Sequence, residues 1–390
     1  MTDSPSLIGW AHSRFGKSDA PDVERLITEV SGAALEDAGI AADDVDAIYV
    51  GVYNNGLTPQ GFEGALVGVG TPELARVPAT HVENACATGS AALFSALDHI
   101  QAGRGRIALV IGAEKMTGLA GIDINDVLLS GSHRRTESGA GSFAGIFGML
   151  AAQYADRYGD QRQALARIAA KNHLNGVRNP YAHMRKDLGF AFCATESERN
   201  PMVADPLLRS DCSLVSDGAA AVVVADHSIA RTARRAVQIR GRKQANEPLP
   251  VVTRRDPLFF DGAAAAFRGS LTEAGVTVAD LHLLETHDCF TQAELMQYEA
   301  FGLAEQGRGP LVLEEGTTYR DGALPTNVSG GLKAKGHPLG ATGVSQHVMA
   351  AMQLTGEAGE MQLGTVDLAA VFNMGGAAVT NYATVMERLR

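Results

Sequence analysis

The chain is poor in cysteine and aromatic residues and has no excess of positive charge. Its four cysteines, Cys86, Cys193, Cys212 and Cys289, form no Cys-x-x-Cys pair. That spacing excludes a disulfide scaffold or a zinc ribbon and reads as reduced thiols. A formal net charge of −11 excludes a general nucleic-acid binder, although local basic patches could still take a phosphorylated co-substrate. No stretch reaches the roughly 18 uninterrupted apolar residues of a membrane span. Residues 1–16 lack the basic-then-apolar order of a secretory leader, and the last residues, Glu387-Arg388-Leu389-Arg390, carry no short targeting signal. A cytoplasmic protein is the expectation. What remains is ordinary globular material: 390 residues, 45% hydrophobic and 20% charged, enough for two or three domains.

Strand and helix signals alternate in the first part. Apolar runs predict strands at Leu7–Ala11, Val45–Val52, Pro78–Val82 and Ile107–Gly112, the last buried on both faces. Leu26, Ile27, Val30, Ala33 and Ala34 give helical spacing from Val23 to Ala38, ended by Gly39. A second helix is predicted over Cys86–Ala102. The pattern then recurs. Ala34-Leu35-Glu36-Asp37-Ala38-Gly39-Ile40 resembles Ser270-Leu271-Thr272-Glu273-Ala274-Gly275-Val276, and Cys86-Ala87-Thr88-Gly89 matches Gly340-Ala341-Thr342-Gly343. Several matches in one order imply duplicated α/β halves that bring strand ends and helix N-termini to a shared face. Met116 to Ser216 lacks the alternation. It contains helical stretches at Ala144–Tyr158 and Gln161–Asn175 and is expected to cover the site. The expected organisation is an N-terminal α/β half over 1–115, an inserted loop domain over 116–216, completion of the first half over 217–246, and a C-terminal α/β half over 247–390. Val237–Gly241 is expected as the last strand of the first half.

Four stretches carry chemistry. Cys86 follows an apolar run and opens a helix, where the peptide dipoles favour thiolate, the nucleophilic form. The rival reading is a small buried hydrophobe. Glu285-Thr286-His287-Asp288-Cys289-Phe290-Thr291 joins a strand to a helix, and its His and Cys, two apart on extended chain, point the same way. A metal site would need further ligands, and none lie nearby in sequence. Between Gly330 and Gly343, five glycines in fourteen residues surround His337, which is held between Gly336 and Pro338. No Gly-Lys-Ser/Thr closes that run, so it is not a P-loop. Finally, Phe372-Asn373-Met374-Gly375-Gly376-Ala377 ends the last core strand in a glycine turn whose N–H groups could act as donors.

Together these stretches resemble the thiolase superfamily over essentially the whole chain. The Cys86 segment is similar to the thiolase nucleophile segment, and Gly336-His337-Pro338-Leu339-Gly340-Ala341-Thr342-Gly343 to the His-bearing signature. His287-Asp288-Cys289-Phe290 resembles the sterol-carrier-protein type, where most thiolases have Asn-Glu-Ala-Phe. The chain departs at Asn373-Met374-Gly375, where most thiolases place the acid/base cysteine of a Cys-x-Gly turn; in the sterol-carrier type the cysteine equivalent to Cys289 takes that role. The resemblance implies a layered α-β-α-β-α fold and cleavage of 3-ketoacyl-CoA by CoA, or the reverse Claisen condensation. Cys86 would be nucleophile and acyl carrier, and His337 its base and ion-pair partner. Cys289 would be the acid/base, with His287 and His337 as donors to the enolate oxygen. The N–H groups of Cys86 and Gly375 would form the second oxyanion hole, and Ser213 would touch the pantetheine arm.

No permanent cofactor or metal is implied, only coenzyme A as co-substrate. Arg134-Arg135, Arg178, Arg185-Lys186 and the run Arg231–Lys243 are candidates for its phosphates. A homodimer or tetramer is expected, and a small OB-fold partner protein is known beside some relatives. The alternatives are a thiolase-fold retro-aldolase acting on CoA-ester side chains, and a noncatalytic scaffold subunit. Loss of Cys86 or His337 would mark the scaffold, and both are present. A ketosynthase would lack the second cysteine.

Overall fold

A computed structural model describes residues 4–118 and 124–389. The strands are β1 (Ser6–His12), β2 (Ala47–Gly51), β3 (Ala79–Val82), β4 (Ile107–Glu114), β5 (Met202–Ala204), β6 (Leu207–Leu208), β7 (Gly218–Ala225), β8 (Val237–Asn246), β9 (Leu283–Glu285), β10 (Leu368–Gly375) and β11 (Thr380–Arg388). The helices of the first half are α1 (Val23–Ala38), α2 (Glu63–Gly70) and α3 (Thr88–Gln101). Those of the insertion are α4 (Ile124–Leu129), α5 (Arg134–Glu137), α6 (Phe143–Tyr158), α7 (Arg162–Gly176) and α8 (Phe190–Ala194). After α9 (His227–Ala230), the second half contributes α10 (Asp261–Ala274), α11 (Thr291–Ala300), α12 (Pro310–Glu314), α13 (Gly331–Ala334) and α14 (Leu339–Thr355).

The duplication legible in the sequence is present in the sheet. Nine strands run β3-β2-β4-β7-β1-β8-β11-β10-β9. In the first half, β3, β2 and β4 are parallel, and β7 and β1 follow antiparallel. In the second half, β9 and β10 are parallel, β11 and β8 follow antiparallel, and Thr326 bridges β9 where β3 stands in the first. Both α1 and α10 end on a left-handed glycine, Gly39 and Gly275, 236 residues apart. Asp22 caps α1 by accepting from the Arg25 N–H, and Ser142 caps α6 by accepting from the Gly145 N–H.

The sequence reading of Val237–Gly241 as the closing strand of the first half is corrected. Strand β8 pairs with β11 over residues 237–246 and meets β1 only at Ser6 and Leu7. Its apolar run looks the same at either seam, so only pairing assigns it. We propose the boundary between halves within 226–236, with 116–216 kept as the insertion.

Strand alternation sorts side chains into separate cores. On β4, Leu109 and Ile111 face α1 and α2, whereas Ala108 and Val110 face α3 and α14. On β10, Ala369 and Val371 join that same central core, whereas Ala370 and Phe372 face α10 and α11. Helices α3 and α14 therefore form the middle of five layers.

Their N-termini meet through glycine. A Cβ on Gly343 would lie 2.3 Å from the Ser90 nitrogen, and one on Gly89 would lie 2.8 Å from the Gly340 oxygen. The matched Cys86–Gly89 and Gly340–Gly343 stretches thus touch each other. Replacing Gly343 by Ala is expected to cost about 2–3 kcal/mol in chemical denaturation, because backbone lies against the new methyl. Gly32→Ala on α1, with nothing within 4 Å of the added carbon, is the control and is expected to be neutral or slightly stabilising. Equal responses would contradict the glycine contact.

Candidate active site

The Cys86 segment is a strained elbow rather than the first turn of a helix. Ala85 adopts φ 50°, a left-handed conformation uncommon outside glycine, and α3 begins only at Thr88. The Thr88 hydroxyl donates to the Ala85 carbonyl (2.6 Å) and accepts from the Asn84 N–H (2.8 Å). The Asn84 side chain donates to Tyr382 Oη (2.8 Å) on β11, tying the elbow to the other half. Gly375 is small for a reason: a Cβ there would lie 2.6 Å from the Asn84 carbonyl oxygen.

Residues far apart in sequence converge on this elbow. The sulfur of Cys86 and one ring nitrogen each of His287 and His337 all lie within 4.8 Å of one another. The two rings stand edge to face, with centroids 5.1 Å apart. Beyond its own segment His287 has no further ligating side chain nearby in sequence, but in space Cys86 and His337 stand beside it. A cavity of about 240 Å³ opens from this point, lined by Cys86, Cys289, His337 and Ser213, with Phe143, Val203 and Cys212 from the insertion. Side chains between residues 116 and 216 thus supply much of the cavity lining.

Hydrogen bonds assign a different proton position to each ring. Thr342 Oγ1 donates its single hydrogen to the Pro338 carbonyl (2.9 Å), so it accepts from His337 Nδ1 (2.7 Å). His337 Nε2 is then a bare lone pair. Asn373 Nδ2 donates to the Cys86 carbonyl (3.2 Å) and contacts His287 Nδ1 (2.9 Å). A carbonyl can only accept, so that atom is the amide nitrogen, His287 Nδ1 accepts, and Nε2 carries the hydrogen. Both Nε2 atoms are buried without a protein partner.

Asp288 faces away from the cavity. It accepts from the Leu332 and Lys333 N–H groups (2.6 and 3.3 Å), capping α13, and from Asn172 Nδ2 (2.7 Å). Asn172 also donates to Glu294 (2.6 Å), which accepts from Lys171 (2.7 Å). This buried network fixes the extended segment that aims His287 and Cys289 inward.

Peptide N–H groups and burial act on the Cys86 thiol in opposite directions. Cys86 keeps some exposure toward the cavity, but burial of its sulfur and the nearby Glu114 carboxyl push the thiol up to about 12, against a lowering contribution from the Gly376 N–H. Burial, reinforced by the positive charge of Lys335, holds His337 down at about 3. Both shifts favour the uncharged thiol and the uncharged imidazole. The N–H groups of Gly376 and of Cys86 itself bear on the sulfur. Cys289 is buried, and its thiol is raised by that burial and by neighbouring Cys86.

Sequence reasoning missed Glu114, Asn373 and Thr342. Glu114 ends the buried strand β4 and accepts from the N–H groups of Tyr53 (2.9 Å), Asn54 (3.0 Å) and Gly340 (2.8 Å). It clamps the loop after β2 to the first turn of α14; burial raises its carboxyl to about 7 against those three donors. A lone acid closing an otherwise apolar strand was the available signal. Most of the basic run after Arg231 turns away from the cavity. Arg235 lies 3.7 Å over the Trp10 ring and pairs with Asp37 and Glu357, Arg240 pairs with Glu387, and Arg242 with Asp98.

With this geometry in place, known proteins were compared. The model for the thiolase N-terminal domain matches residues 9–228, and the thiolase C-terminal domain-like model matches 243–388. The chain belongs to the thiolase family. An acetyl-CoA acetyltransferase of Methanothermobacter thermautotrophicus is 34% identical across 98% of this chain and 99% of its own length. Sterol carrier protein 2 of Homo sapiens is 33% identical across 96% of this chain and 70% of its own length. Among solved structures, the Ltp2-ChsH2(DUF35) aldolase overlays with a TM-score of 0.84 at 19% identity, covering 100% of this chain and 98% of that one. Human mitochondrial 3-ketoacyl-CoA thiolase in complex with CoA gives 0.74 at 18% identity, with the same coverages.

A buried neutral thiol of this family member has a definite pH signature. Because the Cys86 pKa is raised, thiolate is scarce below it and increases about tenfold per pH unit. Alkylation of Cys86 by iodoacetamide in the ligand-free protein is expected to rise steadily from pH 6 to 9. A plateau reached by pH 8 would show a resting thiolate instead.

Proposed function

We propose that the protein is a thiolase-type acyltransferase that cleaves a 3-ketoacyl-CoA with CoA, or runs the reverse condensation, through an acyl-Cys86 intermediate. The observation that carries this reading is the meeting of the Cys86 sulfur with a bare His337 nitrogen and a protonated His287 nitrogen, beside a cavity lined by Cys86, Cys289 and His337. A neutral thiol beside a neutral base needs no stored charge. As the sulfur attacks the keto carbon, its proton passes to His337 Nε2. The alkoxide that forms would accept from the N–H groups of Cys86 and Gly375, donors worth about 3 kcal/mol each to such a barrier. Collapse breaks the bond between the keto carbon and C2, and the electron pair leaves as the enolate of acetyl-CoA. His337, now protonated, joins His287 as a donor to the enolate oxygen, and the Cys289 thiol protonates C2. In the second half, CoA attacks acyl-Cys86 and gives its proton to the Cys289 thiolate. The departing Cys86 sulfur recovers its proton from His337.

Ser213 lines the channel to this point, and its N–H donates to the Cys289 carbonyl (2.8 Å), consistent with a pantetheine contact. Asn125 and Leu128 of α4 border the same cavity, and Arg134 is paired with Asp126 on that helix. Arg134-Arg135 is thus the basic pair best placed for the CoA phosphates. For the oligomer we propose pairing through β3, an edge strand with exposed Ala79, Thr80 and His81 near Phe62, which is 81% exposed. A DUF35-type partner is a further proposal, resting on the structural neighbour whose description pairs Ltp2 with ChsH2(DUF35). No helix of the described residues is long and apolar enough to cross a membrane.

A second reading, a retro-aldol lyase, is favoured by the higher TM-score to the aldolase (0.84 against 0.74). It needs neither free CoA nor an acylated cysteine. Mass spectrometry after incubation with acetoacetyl-CoA is expected to show acetyl on Cys86 with one equivalent of acetyl-CoA released per site, and continued turnover is expected to require free CoA. Cys289→Ala should still accept acetyl from acetyl-CoA on Cys86 while losing at least ~100-fold in condensation and cleavage. An unmodified Cys86 in wild-type protein, with cleavage independent of CoA, would transfer the assignment to the lyase.

A further inference from the structure

Two buried imidazoles of the same kind, 5.1 Å apart, carry opposite tautomers because two different neutral side chains touch their Nδ1 atoms. Thr342 accepts from one, and Asn373 donates to the other. The chain also presents, in Cys86, His287 and His337, three ligand atoms within 4.8 Å of one another. Three such atoms could close on one ion, where metal–nitrogen and metal–sulfur bonds run about 2.0–2.3 Å. A metal there would require a lone pair on Nε2 of both rings. His337 offers one. His287 does not, because the Asn373 amide holds a hydrogen against its Nδ1 and forces the ring hydrogen onto Nε2.

We propose that Asn373 is a positioning residue with two linked roles: it makes His287 a hydrogen-bond donor, and by the same contact it keeps a soft divalent cation out of the Cys86–His287–His337 cluster. The geometry behind this is specific. The amide nitrogen of Asn373 is identified by its second hydrogen bond, to the Cys86 carbonyl, so the side chain cannot present its oxygen to the ring without losing that bond. Asn373 Oδ1 and Ser90 Oγ, both close to Gly343, are buried without partners, and the side chain keeps this orientation despite that cost.

The catalytic half of the inference rests on the acyl-transfer reading, but its tests do not require turnover. In long-range 1H–15N spectra of wild-type protein, with the His287 signals assigned by their loss in His287→Gln, Nε2 is expected to carry the hydrogen and Nδ1 to be bare. For His337 the order is expected to be reversed. In Asn373→Asp, a carboxylate accepts from Nδ1 and moves the hydrogen off Nε2. That variant is expected to bind one Zn2+ per chain at least tenfold more tightly than wild type, by competition with a chromophoric chelator. The gain should vanish in Asn373→Asp/Cys86→Ala. If Asn373→Asp does not fold, the wild-type spectrum still decides: hydrogen on Nδ1 of His287 overturns the proposal. So does equal zinc affinity in wild type and a folded Asn373→Asp protein. The expected tautomers without any acyl-Cys86 would leave this inference standing and sink the acyl-transfer reading.

Discussion

The structure depends on one close contact: the N-termini of α3 and α14 cross through glycine. Gly89 and Gly343 leave no room for a methyl between the two helices. Each helix begins where a chemistry-bearing segment ends, one at Cys86 and the other at His337. Bringing the helices to backbone contact therefore brings a thiol and an imidazole together without either segment having to reach. The five layers follow from the same arrangement, since two central helices in contact need a sheet half on each side to bury their outer faces.

Around that contact the protein positions donors instead of storing charge. The elbow at Ala85, the clamp of Glu114 on Gly340, and the network behind Asp288 each fix one segment of the site. Burial then keeps both Cys86 and His337 neutral. In such an environment, separated ions would be costly, and charge becomes affordable only as substrate supplies it with partners. The two histidines, set to accept and to donate, divide between them tasks that a single protonated pair would have confused.

Much of this was legible beforehand. The duplicated Gly39 and Gly275 stretches, the helix over Val23–Ala38 and the four chemistry-bearing motifs all lay in local pattern, and local pattern survives folding. Cys86, Cys289, His287, His337 and Ser213 could be read together only through the family resemblance. What could not be read was anything fixed by pairing or burial. The place of β8 depended on its partner strand. The protonation of Cys86 depended on solvent exclusion, which outweighs the dipole of a helix that starts two residues later. Asn373 and Thr342 looked like filler because their importance lies in single hydrogen bonds to rings distant or offset in sequence.

The central claim is that the reacting carbon of a 3-ketoacyl thioester lies over Cys86 with its thioester oxygen held by His287. A crystal structure of Cys86→Ala with acetoacetyl-CoA tests it most directly. The account predicts pantetheine running past Ser213, the thioester oxygen within about 3.2 Å of His287 Nε2, and the keto carbon above the truncated side chain. A thioester lodged outside this cavity, or one whose oxygen faces away from both histidines, would contradict it.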